Sequence, residues 1–573
     1  MSGIPPPPPA PPNPWAGRTR PQNQTALSSA VWPHRLLFVP TLTSYARVDS
    51  DTYNGVKAPH YNVLSYTWGN FLDPKAPALP IQGVDWPIPR IQDRHFTAKS
   101  FQTAINLAAT GVRHHCQWLW VDIACIPQKH ENETRAAKET RDEEIGRQVE
   151  ILRRAKEAFA WLSHLKSSEL CPYGYPTTID DFLDAASKGV VVRTPEAAAE
   201  YLEACDKVST QMQAWMSKAL LHPFFKSLWT LQEVVLRRDA WILFDDGLLQ
   251  LYAKATPEQN AWEFIAVKSG IFALRSILSG RIPRYLTNAQ DLLEGSAPDD
   301  RGAMRADAIC NRLQKLLQTY LDRGLDALKI AVPHSAYSAA QYRNSTKLTD
   351  RIYGIVQTYG ITCTPNPVGD DDLAKLQALE DEFGTKLVAK SGLLSQVFIH
   401  SSAETPRRSW LITQKCTVDD FWESFSPTEN LVHELCSLKV LEDTKNMAFR
   451  GQAWYLDSFI GSRDEHLFRN WAGSPEQYLG LMLDYHVSRQ VLGEVVAYFP
   501  SRDAMANAAS RLQEFYSTPA LVALLGSGSA YDLPVVRDNR HGFASVFIVG
   551  LRYTTPRTRP RITNFRKAMT CIV

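Results

Sequence analysis

Residues 118–128 read WLWVDIACIPQ: an apolar run suited to a buried strand, interrupted by a carboxylate at Asp122 between Val121 and Ile123. An ionised group at such a place is costly unless it is paired or faces a cavity. Two readings compete, a cap or ion pair that holds the following loop and the wall of a functional site. The flanking segments carry the decision. RLLFVP (35–40) and YNVLSYTW (61–68) have the apolar and aromatic content of strands. AKSFQTAINLAATG (98–111) places Phe101, Ile105 and Ala108 or Ala109 on one helical stripe, with Gly111 positioned to end it. AKETRDEEIGRQVEILRRAKEAF (137–159) sets Ile145, Val149, Leu152 and Phe159 near helical spacing with charges on the other face, and predicts one amphipathic helix. AFAWLS (158–163) reads as a short buried strand, HPFFKSLWTLQEVVLRR (222–238) as a helix with Pro223 in its first turn, and AWILF (240–244) as a strand. This alternation predicts an α/β fold, an open and largely parallel sheet with helices on both faces. In such sheets ligands bind beyond the carboxyl ends of the strands, which is where 122–128 falls.

The chain has 573 residues, more than one compact core holds, so several domains are expected. Residues 1–33, rich in Pro and then in Asn, Gln, Thr and Ser, read as a disordered arm that also holds PxxP spacing. Residues 34–250 form the α/β unit, 251–400 a mainly helical region and 401–573 a mixed α+β region. STKLTDRIYGIVQTYGI (345–361) and LAKLQALEDEFGTKLVAKSGLL (373–394) are amphipathic helix candidates. SWLIT (409–413), QAWYLDSFI (452–460), EVVAYF (494–499) and ASVFIVGLRY (544–553) read as strands, and DAMANAASRLQEFY (503–516) as a helix. LLGSGSA (524–530) has neither a G-x-S-x-G elbow nor a P-loop lysine and reads as a loop.

The 62 basic and 60 acidic residues nearly cancel, so no global field recruits nucleic acid or an anionic membrane. Nine cysteines without CxxC pairs argue against a disulfide framework, and no segment has the apolar length of a membrane span or a secretory leader. A cytoplasmic protein is expected. His114, His115, Cys116, Cys125 and His130 lack the spacing of a zinc site, so no metal is expected. Cys125 reads as a small apolar filler in preference to a nucleophile, which would need a histidine partner.

Four segments in series resemble the fungal heterokaryon incompatibility (HET) domain over residues 35–247. YNVLSYTWGN (61–70) is close to its Tyr-x-x-Leu-Ser-Tyr-x-Trp-Gly signature. LWVDIACIPQ (119–128) matches Leu-Trp-Ile-Asp-x-x-Cys-Ile-Asn-Gln, with Pro127 in place of Asn. The helix ending in AFAWL matches the third segment, with Glu144 where Gln is usual, Leu152 where Tyr is usual and Ser163 where Gly is usual. FFKSLWTLQEVVL (224–236) is close to Trp-Phe-x-x-x-Trp-x-x-Gln-Glu. LTDRIYGIV (348–356) and PRRSWLITQ (406–414) resemble segments that often follow the domain. The resemblance implies a cell-death effector in non-self recognition, acting with an incompatibility partner, and a remote kinship with the flavodoxin-like TIR fold. Several TIR domains cleave NAD with a helical Glu in a Trp-Cys-x-x-Glu context, and SLWTLQE (227–233) is similar, which puts Glu233 in the catalytic role with NAD as substrate and no further cofactor.

On a helix Trp229 and Glu233 share a face, and an indole beside a carboxylate raises its pKa by desolvation. Cleavage of an N-glycosidic bond calls for a carboxylate near the developing oxocarbenium ion. Asp122 would complete the site by accepting from a ribose hydroxyl or from Tyr66 and Trp68. Ser65, Tyr66, Trp68 and Gly69 supply donors, an aromatic surface and close backbone approach, with Cys125, Gln128, Trp229 and Gln232 as further lining residues. The structural alternatives are an arginine partner for Glu233, a cap or ion pair at Asp122, and core packing for Trp68. Two function classes stand: an NAD glycohydrolase that homo-oligomerises on activation, and a module that only oligomerises or signals, its signature residues serving the fold.

Overall fold

The computed structural model describes residues 32–166, 221–237 and 239–248, most of 333–400, residues 410–417, scattered positions within 203–218 and 308–324, and strands between 432 and 572. The Pro-rich arm up to residue 31, most of 249–332 and the helix expected at 503–516 lie outside the described residues.

In chain order the first unit contains β1 (Arg35–Phe38), β2 (Thr43–Ala46), β3 (Thr52–Tyr53), β4 (Val56–Lys57), β5 (Tyr61–Ser65), α1 (Ala98–Thr110), β6 (Trp118–Trp120) and α2 (Asp122–Cys125). It continues with α3 (Arg135–Gly146), α4 (Gln148–Arg154), β7 (Ala158–Leu162), α5 (Leu228–Leu236), β8 (Trp241–Phe244) and β9 (Gly247–Leu248). Seven strands form one sheet in the order β2-β1-β6-β5-β7-β8-β9. The central strands β6, β5, β7 and β8 are parallel. Both margins are antiparallel: β1 with β2 and β6, and β9 with β8. In chain order the parallel strands sit 2-1-3-4, the doubly wound order of flavodoxin-like sheets, whose switch point lies between the first and third strands. Here those are β5 and β7.

β5 is buried at every position, as a central strand covered on both faces must be. Its one polar interior residue, Asn62, is fully engaged: the amide donates to the carbonyls of Ala108 (2.8 Å) and His114 (3.0 Å), and its oxygen accepts from Glu157 N (3.1 Å). α1 begins with a reciprocal cap between Thr97 and Ser100. It ends at Gly111, whose φ of +68° and whose approach to the His114 carbonyl, 2.3 Å from where a Cβ would sit, admit no side chain.

The single helix expected over 137–159 is two helices, and Phe159 belongs to β7. The chain turns at Arg147 (φ −105°, ψ 4°), after the weak helix former Gly146. Gln357 supplies bonds at the break, donating to Ile145 O (3.0 Å) and accepting from Val149 N (3.2 Å). At 222–238, Pro223–Phe225 is a 3-10 turn and the α-helix starts only at Leu228.

Farther along lie α6 (Pro333–Ala340), α7 (Asp350–Val356) and α8 (Asp372–Lys390). One buried apolar core runs from the sheet through Leu228 and Leu231 of α5 to Ile352 and Ile355 of α7 and Leu379 and Phe383 of α8. Trp410–Thr413, expected as strand, is buried but is turn and irregular structure. LLGSGSA, expected as a loop, lies within the strand Leu521–Ala530, antiparallel to Gly542–Gly550 with a register shift between Leu524 and Gly526. Pairing needs only backbone donors and acceptors, and a bulge absorbs the small-residue irregularity. No helix among the described residues is long and apolar enough to cross a membrane.

Candidate functional site

The carboxyl end of β5 meets two other segments. Ser65 Oγ donates to the Glu233 carboxylate on α5. Three residues on, the Trp68 indole N–H donates to Asp122 Oδ2 at 2.6 Å. The other oxygen of Asp122 accepts from the N–H of the next residue, Ile123 (2.7 Å), in the first turn of the short helix that Asp122 opens. Between these two bonds stands Tyr66, only 6 % exposed, its ring packed against Phe96, Phe101 and Trp161 at centroid distances of 5.8, 5.9 and 6.0 Å. Its buried hydroxyl is close enough to Asp122 for the two to perturb each other, yet without hydrogen-bond alignment it has no partner. Ser65, Tyr66, Trp68, Asp122 and Glu233 therefore converge at the sheet's switch point.

The electrostatics follow from burial without a counter-charge. Burial, with a further push from Asp122, raises Glu233 to about 8 against the opposing bond from Ser65. Burial also raises Asp122, although Trp68, Tyr66 and the Ile123 N–H favour its charged form. Tyr66 is held well above the usual phenol range by burial and then by the charges of Asp122 and Glu233. Among the described residues no lysine, arginine or histidine lies within ion-pair distance of Asp122 or Glu233. The arginine partner considered for Glu233 is absent from this set. Glu233 thus holds its proton at neutral pH, and the pair is poised to ionise fully only when positive charge arrives.

Residues 61–233 match the family model described as Heterokaryon incompatibility protein (HET). Over residues 61–233 the chain is similar to the HET domain. The match opens on the first residue of β5 and closes on Glu233, so it brackets the site. No curated protein and no solved structure matches the chain.

Other expected site residues of the HET domain lie elsewhere. Gln128 closes the loop under Asp122, its amide donating to the carbonyls of Ile126 (2.7 Å) and Asp122 (3.3 Å). Cys125 is 0 % exposed, and burial pushes its thiol up to about 12, so it packs as apolar filler. In the native protein Cys125 is expected to escape iodoacetamide at mildly alkaline pH and to react only in denaturant, as mass spectrometry of the alkylated peptide will read. Gly69 is exposed with open space around it, so nothing in its surroundings requires a glycine. Trp229 faces Asp350, and Gln232 is wholly buried against α7, where its amide, oriented so that the nitrogen faces acceptors, donates to the carbonyls of Tyr353 (3.0 Å) and Gly354 (3.2 Å). No described contact joins either residue to Asp122.

His95 and Gln357 are contributors that carry no pattern in the sequence. His95, buried and stacked on Phe71 with ring centroids 3.7 Å apart, donates from Nε2 to the Thr67 carbonyl and so fixes the backbone between Tyr66 and Trp68. Burial lowers it to about 4, which keeps it neutral. Of the departures from the HET pattern, Leu152 packs in the core and Ser163 gives its carbonyl to His222 Nε2 (2.9 Å).

Proposed function

We propose that this HET domain hydrolyses NAD at the bond between nicotinamide and ribose, as a TIR-like cytoplasmic effector of cell death in heterokaryon incompatibility. The observation that carries the reading is a pair of carboxylates without a counter-cation among the described residues, gathered at the switch point beside a buried and unpartnered tyrosine hydroxyl. Such a site favours a ligand that brings positive charge, and the nicotinamide ring of NAD is a cation. A pyridinium beside Asp122 and Glu233 draws Glu233 towards its ionised form, and the half-buried Trp68 offers an aromatic face.

In the reaction the glycosidic C–N bond breaks, nicotinamide leaves with the electron pair, and ionised Glu233 stabilises the oxocarbenium ion left at the ribose carbon. Water adds to that carbon and loses a proton, giving ADP-ribose. Ser65 holds Glu233 in place, Asp122 and the Tyr66 hydroxyl receive the ribose hydroxyls, and no strong general acid is needed because nicotinamide leaves neutral. Homo-oligomerisation, driven by an incompatibility partner, is the activating step of the proposal.

The test is nicotinamide release from NAD by the purified full-length chain, free and induced to assemble through a fused oligomerising tag. Release on assembly is expected. No release under any assembly condition, together with cell death that survives Glu233→Ala, overturns the reading in favour of a non-catalytic signalling module.

A further inference from the structure

The far side of α5, the helix that carries Glu233, packs against α7. We infer that residues 343–357, outside the matched HET span, form a strap that positions α5 so that Glu233 meets Ser65, with Gly354 and Gln357 as positioning residues. The functional meaning of this strap rests on the reading given above; the geometry does not.

α5 is gripped along its length. At its start, Leu228 N donates to Asn344 O (3.1 Å) and Asn344 N to Lys226 O (2.7 Å), while Arg343 reaches Phe224 O (3.3 Å). In its middle, Gln232 engages the carbonyls of Tyr353 and Gly354. Gln357 ties the same region to the break between α3 and α4 through Ile145 O and Val149 N. At its end, Arg237 donates to Leu152 O (2.7 Å) and Ala155 O (3.0 Å). Towards the carboxyl ends of the strands, the one polar side-chain contact of α5 among the described residues is that of Glu233 with Ser65. The height and rotation of α5 over β5 are therefore set from behind.

The closest approach explains a residue choice. A Cβ at Gly354 would sit 2.7 Å from Leu228 Cγ, the branch point of that side chain and not its far end. Only glycine lets α7 lie this close, and the contact fixes the spacing of the two helices.

A bump-and-hole pair in the full-length chain tests the strap. Gly354→Ala inserts a methyl group that α5 must yield to, and Leu228→Ala removes the atom that it strikes. The readout is the titration of the Glu233 carboxyl by carbon NMR, assigned by loss of its signal in Glu233→Gln. In the native chain a midpoint near 8 is expected. In Gly354→Ala, α5 moves, water reaches the carboxylate and the midpoint drops by about one pH unit or more; Leu228→Ala in the same chain restores it. Should Gly354→Ala fail to fold, Gln232→Leu, which cuts the tie to α7 without a bump, is expected to lower the midpoint likewise. An unchanged midpoint in the folded variants, or no restoration by Leu228→Ala, overturns the strap. The titration reads position whether or not NAD is cleaved: an inactive native chain with the expected midpoints removes the NAD reading and leaves the strap standing.

Discussion

Glu233→Gln is expected to lower nicotinamide release by about 10³-fold, the scale on which a lost charge-stabilising group acts, while making the folded chain more stable at alkaline pH. The two effects come from one cause. Glu233 is held at about 8, against an ordinary 4.5, so between those values the folded state keeps a proton that the unfolded chain has released. Its contribution to stability is full below about 4.5 and is lost as pH rises through about 8. Glutamine mimics the neutral form and has no proton to lose. Denaturant unfolding of both chains at acid, neutral and alkaline pH should give nearly equal stabilities at the acid end and a gain for the variant of at most about 5 kcal/mol at the alkaline end. Catalysis runs the other way, because the oxocarbenium ion needs the ionised form. For the native chain kcat/KM should rise with pH and level off above about 8. Undiminished release by Glu233→Gln, or equal pH dependence of stability in the two chains, removes Glu233 from the proposed role.

The part of this molecule that the sequence makes legible is the part built from neighbours in the chain. Alternating strands and helices give the parallel sheet, and the strand end before Asp122 follows from where its apolar run stops, whereas β5 ends at Ser65, short of the 61–68 run that reads as strand. That Asp122, Tyr66 and Trp68 lie close together is readable as well, since residues at the carboxyl ends of adjacent parallel strands share one edge, whereas Glu233, within helix α5, enters the candidate site through the family resemblance alone. What the sequence conceals is decided by distant partners. The break between α3 and α4 depends on Gln357, over 200 residues away, whose side chain takes bonds that a continuous helix would make. Gln232, adjacent to Glu233 and equally polar, turns to the carbonyls of α7 and leaves the site, a choice set by Gly354 and not by anything near residue 232. His95 stands alone in a loop, and only the fold brings it under Thr67. Antiparallel margins were equally hidden, because β1 and β9 attach through short turns that do not show in periodicity.

Glu144→Ala is expected to cost about 3 kcal/mol or more, as much as the loss of a large core side chain, although the residue is a charged one on an otherwise polar helix. Glu144 is 0 % exposed. Its oxygens accept from His34 N at 3.1 and 3.0 Å and from the Trp120 indole at 3.2 Å, which joins the entry to β1, the strand β6 and the helix α3 at one carboxyl group. Alanine leaves two buried N–H donors without an acceptor and a hole beside Trp120. Glutamine keeps an acceptor of the same shape, so Glu144→Gln should lie within about 1 kcal/mol of the native chain near neutral pH. Burial raises Glu144 to about 7, so its proton-linked stability is full below about 4.5 and is lost as pH rises through about 7. Glutamine cannot follow that titration, and the variant should gain on the native chain as the solution turns alkaline. Thermal unfolding of the three chains on either side of neutrality separates the outcomes: if glutamine is as damaging as alanine under acid conditions, where native Glu144 is itself neutral, an uncharged acceptor of the same shape does not hold the joint and the hydrogen-bond account is wrong.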